Sequence, residues 1–486
     1  MSIVSRRFLR CCEKSCSDAP WSGEMSVTLV LPESIYTDLE RTAQLQVETA
    51  GVLTARVLDS GSGSQRLLAR QFSPVPDSSY LRRQPDGLTI NSAGYVPALG
   101  RAEADGAMAI WVHIHPGVGS SPRPSQHDRI VDHELSDVFR LRAGSQYYGT
   151  LILSPRSPGV AFTGHLHPAG RESLCVDRLW IVGDRLRFYH SVDFEGEELS
   201  PSFDRNVRAF GAAVQQILAA LRVGIVGCGG TGSAVAEQLV RLGARHFTLV
   251  DPDTLSASNV TRVYGSTPAD IGEPKVHVVA RHLQAIAGGK AHIREIPAML
   301  TQRWAAEALT DLDVAFGCTD DNAGRLVLSR ASSYLLLPVI DCGVLLTSAT
   351  NGTLDGIDGR VTTMVPGRAC LVCRGRIDLA RAASELLTPS ERRRRVDEGY
   401  APALLGVEPA VVTFTTSVAS TAVAELLECL IGYGPDPRPS EVLLRYHDRE
   451  ISTNSMFPCK DHYCDPAAGK IGLGRTEPFL EQTWGQ

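Results

Sequence analysis

The segment RVGIVGCGGTGSAVAEQLVRLGARHFTLVD, residues 222–251, constrains the fold more than any other part of the chain. A short apolar run passes into Gly227, Gly229 and Gly232, then into residues with helical spacing, then into a second apolar run that ends on Asp251. Glycines at this spacing let a chain leave a buried strand through a tight turn and place a helix N-terminus close behind it. The segment therefore reads as a β-α-β crossover in a parallel, doubly wound α/β sheet, with further strands expected at Val314 to Gly317 and Pro338 to Asp341. Taken alone, the turn predicts a nucleotide phosphate on the helix N-terminus and Asp251 on a ribose hydroxyl, which favours NAD or FAD.

The residues that follow argue for a triphosphate instead. DPDTLSASNVTRVYG and IGEPKVHVVA place Asn259, Arg262 and Lys275 beyond the acidic strand end, a polar and cationic clamp that a nicotinamide dinucleotide does not need. GCTDDNAGR then puts Asp320 just after an expected strand, where a Mg²⁺-binding carboxylate belongs.

This unit is only part of 486 residues, a length that predicts about two to four domains. Hydrophobic residues at 43% and a mean hydropathy of -0.04 fit a globular chain with ample core. A net charge of -6 lacks the basic footprint of a nucleic-acid binder. The apolar stretches Ser333 to Leu346 and Val407 to Gly432 are interrupted by Pro, Asp or Glu and read as buried elements, so no membrane span is expected. Residues 1–24 lack a continuous apolar stretch and read as a disordered leader or a mis-called start. From Met25 the pattern is mixed α+β: a strand VTLVLP, a helix from Ser34 to about Thr49, a strand Ala107 to His115, another from Tyr147 to Leu153, and a hairpin over Leu174 to Val192.

In VHIHPGVGSSPRPSQHD, His113 and His115 stand two apart on an expected strand, so both imidazoles project from one face. Catalytic zinc takes three protein ligands and leaves a position for water, and Asp128 can supply the third. Glu48, at the end of the preceding helix, is a candidate acceptor for the proton of that water.

Both halves resemble known families. Glu48, His113-x-His115-Pro116 and Ser125-x-x-Asp128 resemble the JAB/JAMM (MPN-domain) metalloprotease motif, over about residues 25 to 195. The resemblance implies His113, His115 and Asp128 on catalytic zinc, Glu48 as general acid/base, Ser125 stabilising the oxyanion, and cleavage after the C-terminal glycine of a ubiquitin-like protein. Ile114 replaces the usual Ser or Thr, and nine residues separate His115 from Ser125 where seven are usual. Residues from about 200 to 470 are similar to the ThiF/MoeB family, the adenylation domain shared with ubiquitin-activating enzymes. That similarity implies ATP and Mg²⁺, with Gly227, Gly229 and Gly232 in the nucleotide turn, Asp251 on the ribose, Asn259, Arg262 and Lys275 on the phosphates, and Asp320 on the magnesium. It also implies that Arg205, in FDRNVRAFG, reaches into the partner's ATP site of a homodimer. Asp321 stands where the family usually has Asn.

Cys370 and Cys373 in ACLVC match the first half of the structural zinc site common in that family, with Cys459 and Cys464 as the available second half and His462 as a possible substitute. Thioester-forming members usually carry a cysteine after the first zinc pair, yet none lies between Cys373 and Cys429. Cys429 falls in an apolar helix, and Cys228, Cys318 and Cys342 near strand ends, all four expected to be structural.

The resulting expectation is a leader at 1–24, a JAB/JAMM domain at 25–198, a ThiF-like adenylyltransferase at 199–470 and a tail at 471–486. The chain is expected to process and activate a ubiquitin-like protein ending in glycine, in a bacterial cytoplasm, as a homodimer, with a conjugating-enzyme-like partner. The alternative is activation of a sulfur carrier for thiamine, molybdopterin or cysteine synthesis. An NAD-dependent oxidoreductase and a non-catalytic scaffold are the rivals from other classes.

Overall fold

A computed structural model describes residues 26–59, 63–117, 119, 122–192, 199–348, 354–387, 391, 411–482 and 484. The expected leader, Arg392–Arg395 and much of the segment after the first zinc pair lie outside the described residues. The chain divides into two compact units, residues 1–181 with 187–198, and residues 182–186 with 199–486.

The first unit comprises β1 (Val27–Pro32), α1 (Glu33–Ala43), β2 (Thr49–Asp59), β3 (Gln65–Pro74), the hairpin β4 (Tyr80–Gln84) and β5 (Gly87–Ile90), and α2 (Val96–Ala104). It continues through β6 (Met108–Ile114), α3 (Gln126–Ala143), β7 (Tyr147–Pro155), β8 (Val160–Pro168), β9 (Leu174–Val182) and β10 (Arg187–His190). The main sheet has the order β1-β3-β2-β6-β7-β8-β9-β10, with an additional pairing of β1 to β9. Helix α1 stops earlier than the sequence suggested, because its buried face of Ile35, Tyr36, Leu39 and Ala43 ends there and Leu45 is exposed. Glu48 therefore sits in the turn that enters β2 and not on a helix.

All seven residues of β6 are buried, and its period of two divides them between two cores. Ile110, Val112 and Ile114 join Leu29, Leu31 and Leu39 on one face. Ala109 and Trp111 join Leu99 of α2 and Phe139 of α3 on the other. His113 has the parity of Trp111, so alternation alone directs it to the face covered by α3.

The second unit holds α4 (Asp204–Phe210), α5 (Ala212–Ala220), β11 (Arg222–Val226), α6 (Gly230–Arg241), β12 (His246–Val250), α7 (Lys275–Ala287), β13 (His292–Ile296) and α8 (Arg303–Glu307). It continues with β14 (Val314–Gly317), α9 (Asn322–Tyr334), β15 (Val339–Ser348), β16 (Leu354–Met364), α10 (Leu379–Glu385), α11 (Val412–Ile431), β17 (Glu441–Arg445) and β18 (Glu450–Asn454). Gly211, at φ 87°, separates α4 from α5. The sheet runs β13-β12-β11-β14-β15-β16-β17-β18, parallel from β13 to β15 and antiparallel beyond. This is a Rossmann-like α/β fold, and its order reverses between β11 and β14, opening a crevice at their C-terminal ends.

Helix α11 is long and apolar enough to cross a membrane by length and composition. It packs on α6, β15 and β16, with Val418, Ala422 and Leu426 buried, as a core helix of this sheet.

Candidate functional site

A cavity of about 1330 Å³ occupies the crevice between β11 and β14. Val226 leads into Gly227, whose φ of 92° turns the chain; a Cβ there would lie 2.6 Å from the Cys318 carbonyl oxygen. Gly229 is the N-cap of α6, and nothing lies within 4 Å of where its Cβ would project. Gly232, on the first turn of α6, faces the turn itself: a Cβ would meet the Gly227 oxygen at 1.8 Å. Gly227 and Gly229 line the cavity, whereas Gly232 serves the close approach of helix to turn.

Asp251, buried at the end of β12, accepts hydrogen bonds from the Cys228 N–H at 2.7 Å and the Asp253 N–H at 2.9 Å. Burial pushes its carboxyl up against the opposing pull of Lys275. Lys275 Nζ donates to Asp253 Oδ2 at 2.7 Å and lies 3.8 Å from Asp251. The Asn259 side-chain oxygen accepts from the Ser256 N–H at 3.1 Å, and Arg262 donates to the Ser258 carbonyl at 3.2 Å. Asp251, Asn259, Arg262, Lys275 and Asp320 all line the same cavity, although they come from four separate segments. Asp321 is the N-cap of α9, accepting from the Gly324 N–H, a role its carboxylate fills as an Asn side chain could. Arg205 is exposed on α4 and outside the cavity lining.

Sequence reasoning missed a second set of arginines on the cavity wall, Arg325, Arg360, Arg376, Arg381 and Arg445. Arg360 pairs with Asp341 at 2.5 Å and Arg325 approaches it at 3.5 Å, while Asp341 is fully buried. These residues share no local motif; the only signal was an acidic residue ending an apolar strand.

Cys370, Cys373, His462 and Cys464 bring their ligand atoms within 4.8 Å of one another. His462 Nδ1 lies 3.5 Å from Cys370 Sγ, 3.3 Å from Cys373 Sγ and 3.2 Å from Cys464 Sγ, and Cys373 and Cys464 are 3.6 Å apart. A tetrahedron with Zn–S near 2.3 Å and Zn–N near 2.0 Å has edges of about 3.5–3.8 Å, so the quartet fits zinc. The bond from Cys464 brings the Cys370 thiol down to about 4, and the Cys464 thiol is pushed up in return. Cys459, expected as a ligand, is exposed and outside the quartet; the short turn presents its N–H to Cys373 Sγ at 3.4 Å and brings the His462 ring inward instead. Cys429 is buried, and burial pushes its thiol up to about 12.

In the first unit, Glu48, His113 and His115 form a second group whose ligand atoms lie within 4.8 Å. His113 Nε2 is 3.2 Å from Glu48 Oε2, and His113 Nδ1 is 3.2 Å from Asp128 Oδ1. His115 Nε2 lies 3.7 Å from Asp128 Oδ2. Burial alone would push the His113 imidazole down, but its bonds to Asp128 and Glu48 raise it to about 9. Burial opposes ionisation of Asp128, yet His113 and His115 hold it well below the usual carboxylate range. Ser125 is the N-cap of α3: its Oγ accepts from the Asp128 N–H at 3.1 Å, and Asp128 Oδ2 accepts from its N–H at 2.7 Å. This capping box occupies one lone pair of the Ser125 hydroxyl and leaves its hydrogen and second lone pair for any other partner.

The chain is similar to a molybdopterin-synthase adenylyltransferase of Escherichia coli, 28% identical over 47% of this chain and 80% of that protein. It is also similar to a sulfur carrier protein adenylyltransferase of Thermus thermophilus, 31% identical over 26% of this chain and 46% of the relative. Among solved structures, E. coli MccB with ATP aligns with a TM-score of 0.41 and 19% identity, over 55% of this chain and 75% of that one. Residues 203–465, more than half of the chain and all within the second unit, match the ThiF family model, and the chain belongs to the ThiF family.

Proposed function

We propose that the second unit adenylates the C-terminal carboxylate of a small ubiquitin-like sulfur-carrier protein. The observation that carries this reading is the convergence of the Gly227–Gly229 turn, Asp251, Asn259, Arg262, Lys275 and Asp320 on one cavity at the sheet's switch point. The names of the two relatives favour a sulfur carrier over a modifier passed to a conjugating enzyme. A carboxylate oxygen of the carrier bonds to the α-phosphorus of ATP, and the bridging oxygen leaves with pyrophosphate, giving an acyl-adenylate. The Gly229 amide, on the cavity lining, and the start of α6 would face the phosphates, Arg262 and Lys275 would neutralise them, and Asp251 would accept from the ribose. Asp320 is exposed, lines the cavity, and fits a Mg²⁺ ligand. The ion supplies positive charge to the phosphates when bound. Arg205, outside this cavity, would serve the site of a second copy in a homodimer.

The test is ATP–pyrophosphate exchange with a carrier ending in a free glycine. Wild type should exchange only with the carrier present, and Asp320→Ala should lose exchange while retaining the wild-type unfolding temperature. Nicotinamide dinucleotide binding without carrier-dependent exchange would overturn the reading.

The cluster of Glu48, His113, His115 and Asp128 favours a second reading for the first unit: zinc-dependent hydrolysis of the amide bond after the carrier's terminal glycine. His113, His115 and Asp128 would hold the metal, which supplies an acidified water, and Glu48 would accept its proton. Glu48→Gln should keep the bound zinc and abolish cleavage of a glycine-extended carrier; cleavage at the wild-type rate would remove Glu48 from the mechanism.

A further inference from the structure

Two thiols on the wall of the nucleotide cavity have no place in the adenylation chemistry. Strands β14 and β15 pair in parallel with Ala315 opposite Val339, Phe316 opposite Ile340 and Gly317 opposite Asp341. The next step of that register sets Cys318 beside Cys342. Neighbouring parallel strands lie about 4.8 Å apart, inside the Cα–Cα range of about 4.4–6.8 Å that a disulfide spans. Both residues line the cavity, and neither thiol is in a disulfide.

The backbone at Cys318 also supports the nucleotide turn. Its N–H donates to the Val226 carbonyl at 2.7 Å, and its own carbonyl packs where a Cβ on Gly227 would be. Asp320 follows two residues later, and the Cys342 carbonyl accepts from Arg325 at 3.3 Å. A bond drawn between the two sulfurs pulls on the Gly227 turn and on the carboxylate proposed for magnesium.

We propose that Cys318 and Cys342 form a reversible disulfide that weakens nucleotide binding, making this cavity sensitive to peroxide. The oxidant is hydrogen peroxide. Cys318, the more exposed of the two, attacks one peroxide oxygen, giving a sulfenic acid and water. The Cys342 sulfur then displaces the hydroxyl from Cys318, forming the S–S bond and a second water. Two thiols are oxidised and one peroxide is reduced to two waters. Cys342 and burial hold the Cys318 thiol well above its ordinary range, so the pair reacts with peroxide slowly near neutral pH and faster as pH rises.

The effect on nucleotide binding rests on the adenylation reading, whereas the disulfide itself does not, and the experiment separates them. Full-length protein is treated with hydrogen peroxide, alkylated and mapped by mass spectrometry, and ATP binding is measured by calorimetry before and after. The expected result is a peptide joining Cys318 to Cys342, with ATP affinity reduced about tenfold or more and restored by dithiothreitol. Zinc release, followed with a chromophoric chelator, separates this event from oxidation of Cys370, Cys373 and Cys464. Cys318→Ser and Cys342→Ser should each show an ATP affinity, whatever its value, that does not move with peroxide. The proposal is overturned if both cysteines remain alkylatable, if the crosslink forms with ATP affinity unchanged, or if both variants respond as wild type does. Failure of the reduced protein to bind ATP would instead sink the adenylation reading, with the mapped crosslink still deciding whether the disulfide exists.

Discussion

Gly229 and Gly232 are three residues apart in one turn, and the structure assigns them opposite duties. At Gly232 a methyl group would stand 1.8 Å from the Gly227 oxygen, 3.0 Å from its carbonyl carbon and 3.1 Å from Ile225 Cγ2. Real Cβ contacts stay beyond about 3 Å, so α6 must back away from the turn by more than an ångström. Helix α6 is itself packed on α7 and α11 and has little room to move. Overpacking of this kind costs about 1–3 kcal/mol, which at about 2–4 °C per kcal/mol lowers the unfolding temperature by roughly 2–12 °C. At Gly229 the projected methyl meets nothing within 4 Å and φ is -74°, so Gly229→Ala costs folding no more than about 1 kcal/mol through the poorer N-cap. The methyl instead enters the cavity where the phosphates are proposed to lie, and ATP affinity should fall about tenfold or more. Calorimetric unfolding and ATP titration of the two variants measure both quantities. Gly232→Ala with the wild-type unfolding temperature, or Gly229→Ala with wild-type ATP affinity, would refute the assignment.

The cysteine quartet predicts that His462→Ala lowers bound zinc by about one per chain whereas Cys459→Ala retains it, as measured by atomic absorption on protein purified without chelator. Equal zinc in both variants would return Cys459 to the ligand set. In the first unit, His113 must lose its proton to take a metal, and its partners hold that proton up to about pH 9. The imidazole is therefore protonated below that value, and zinc affinity at this site should rise about tenfold per pH unit until about pH 9 and then level off. Competition against a chromophoric chelator reads this directly, and a curve that levels off near pH 6.5 would show His113 to be unperturbed.

How much was legible depended on whether the signal was local. The Gly227-x-Gly229-x-x-Gly232 turn, Asp251 and the His113-x-His115 alternation are spelled out within single elements, and each stands where backbone period predicts. The placement of Glu48 was not legible, because nothing marks the loss of the helical face after Ala43 except the exposure of Leu45. The fourth zinc ligand was obscured because a four-residue spacing between Cys459 and Cys464 leaves two candidates inside one turn, and only the fold decides which side chain points inward. The arginines of that cavity wall were invisible for a different reason: they gather from two helices, two strands and a loop, and only the mixed sheet brings them to one wall.

The proposed clamp on the nucleotide is pre-arranged but already engaged. Lys275 is bonded to Asp253, whose side chain is 64% exposed, and stands 3.8 Å from the buried Asp251. An ion pair to so exposed a carboxylate is worth at most about 1 kcal/mol, so little is lost when the ammonium turns to a phosphate. The buried charge nearby works the other way. Asp251 has one oxygen on the Cys228 N–H and the other on the Asp253 N–H, which fixes its orientation while each oxygen keeps a lone pair for a ribose hydroxyl. One of those donors belongs to the glycine turn itself, so the residue proposed to read the sugar also holds the loop proposed to face the phosphates. The cation is kept movable and the anion is kept still. This division suits a site whose triphosphate must be gripped before reaction and whose pyrophosphate must be released after it.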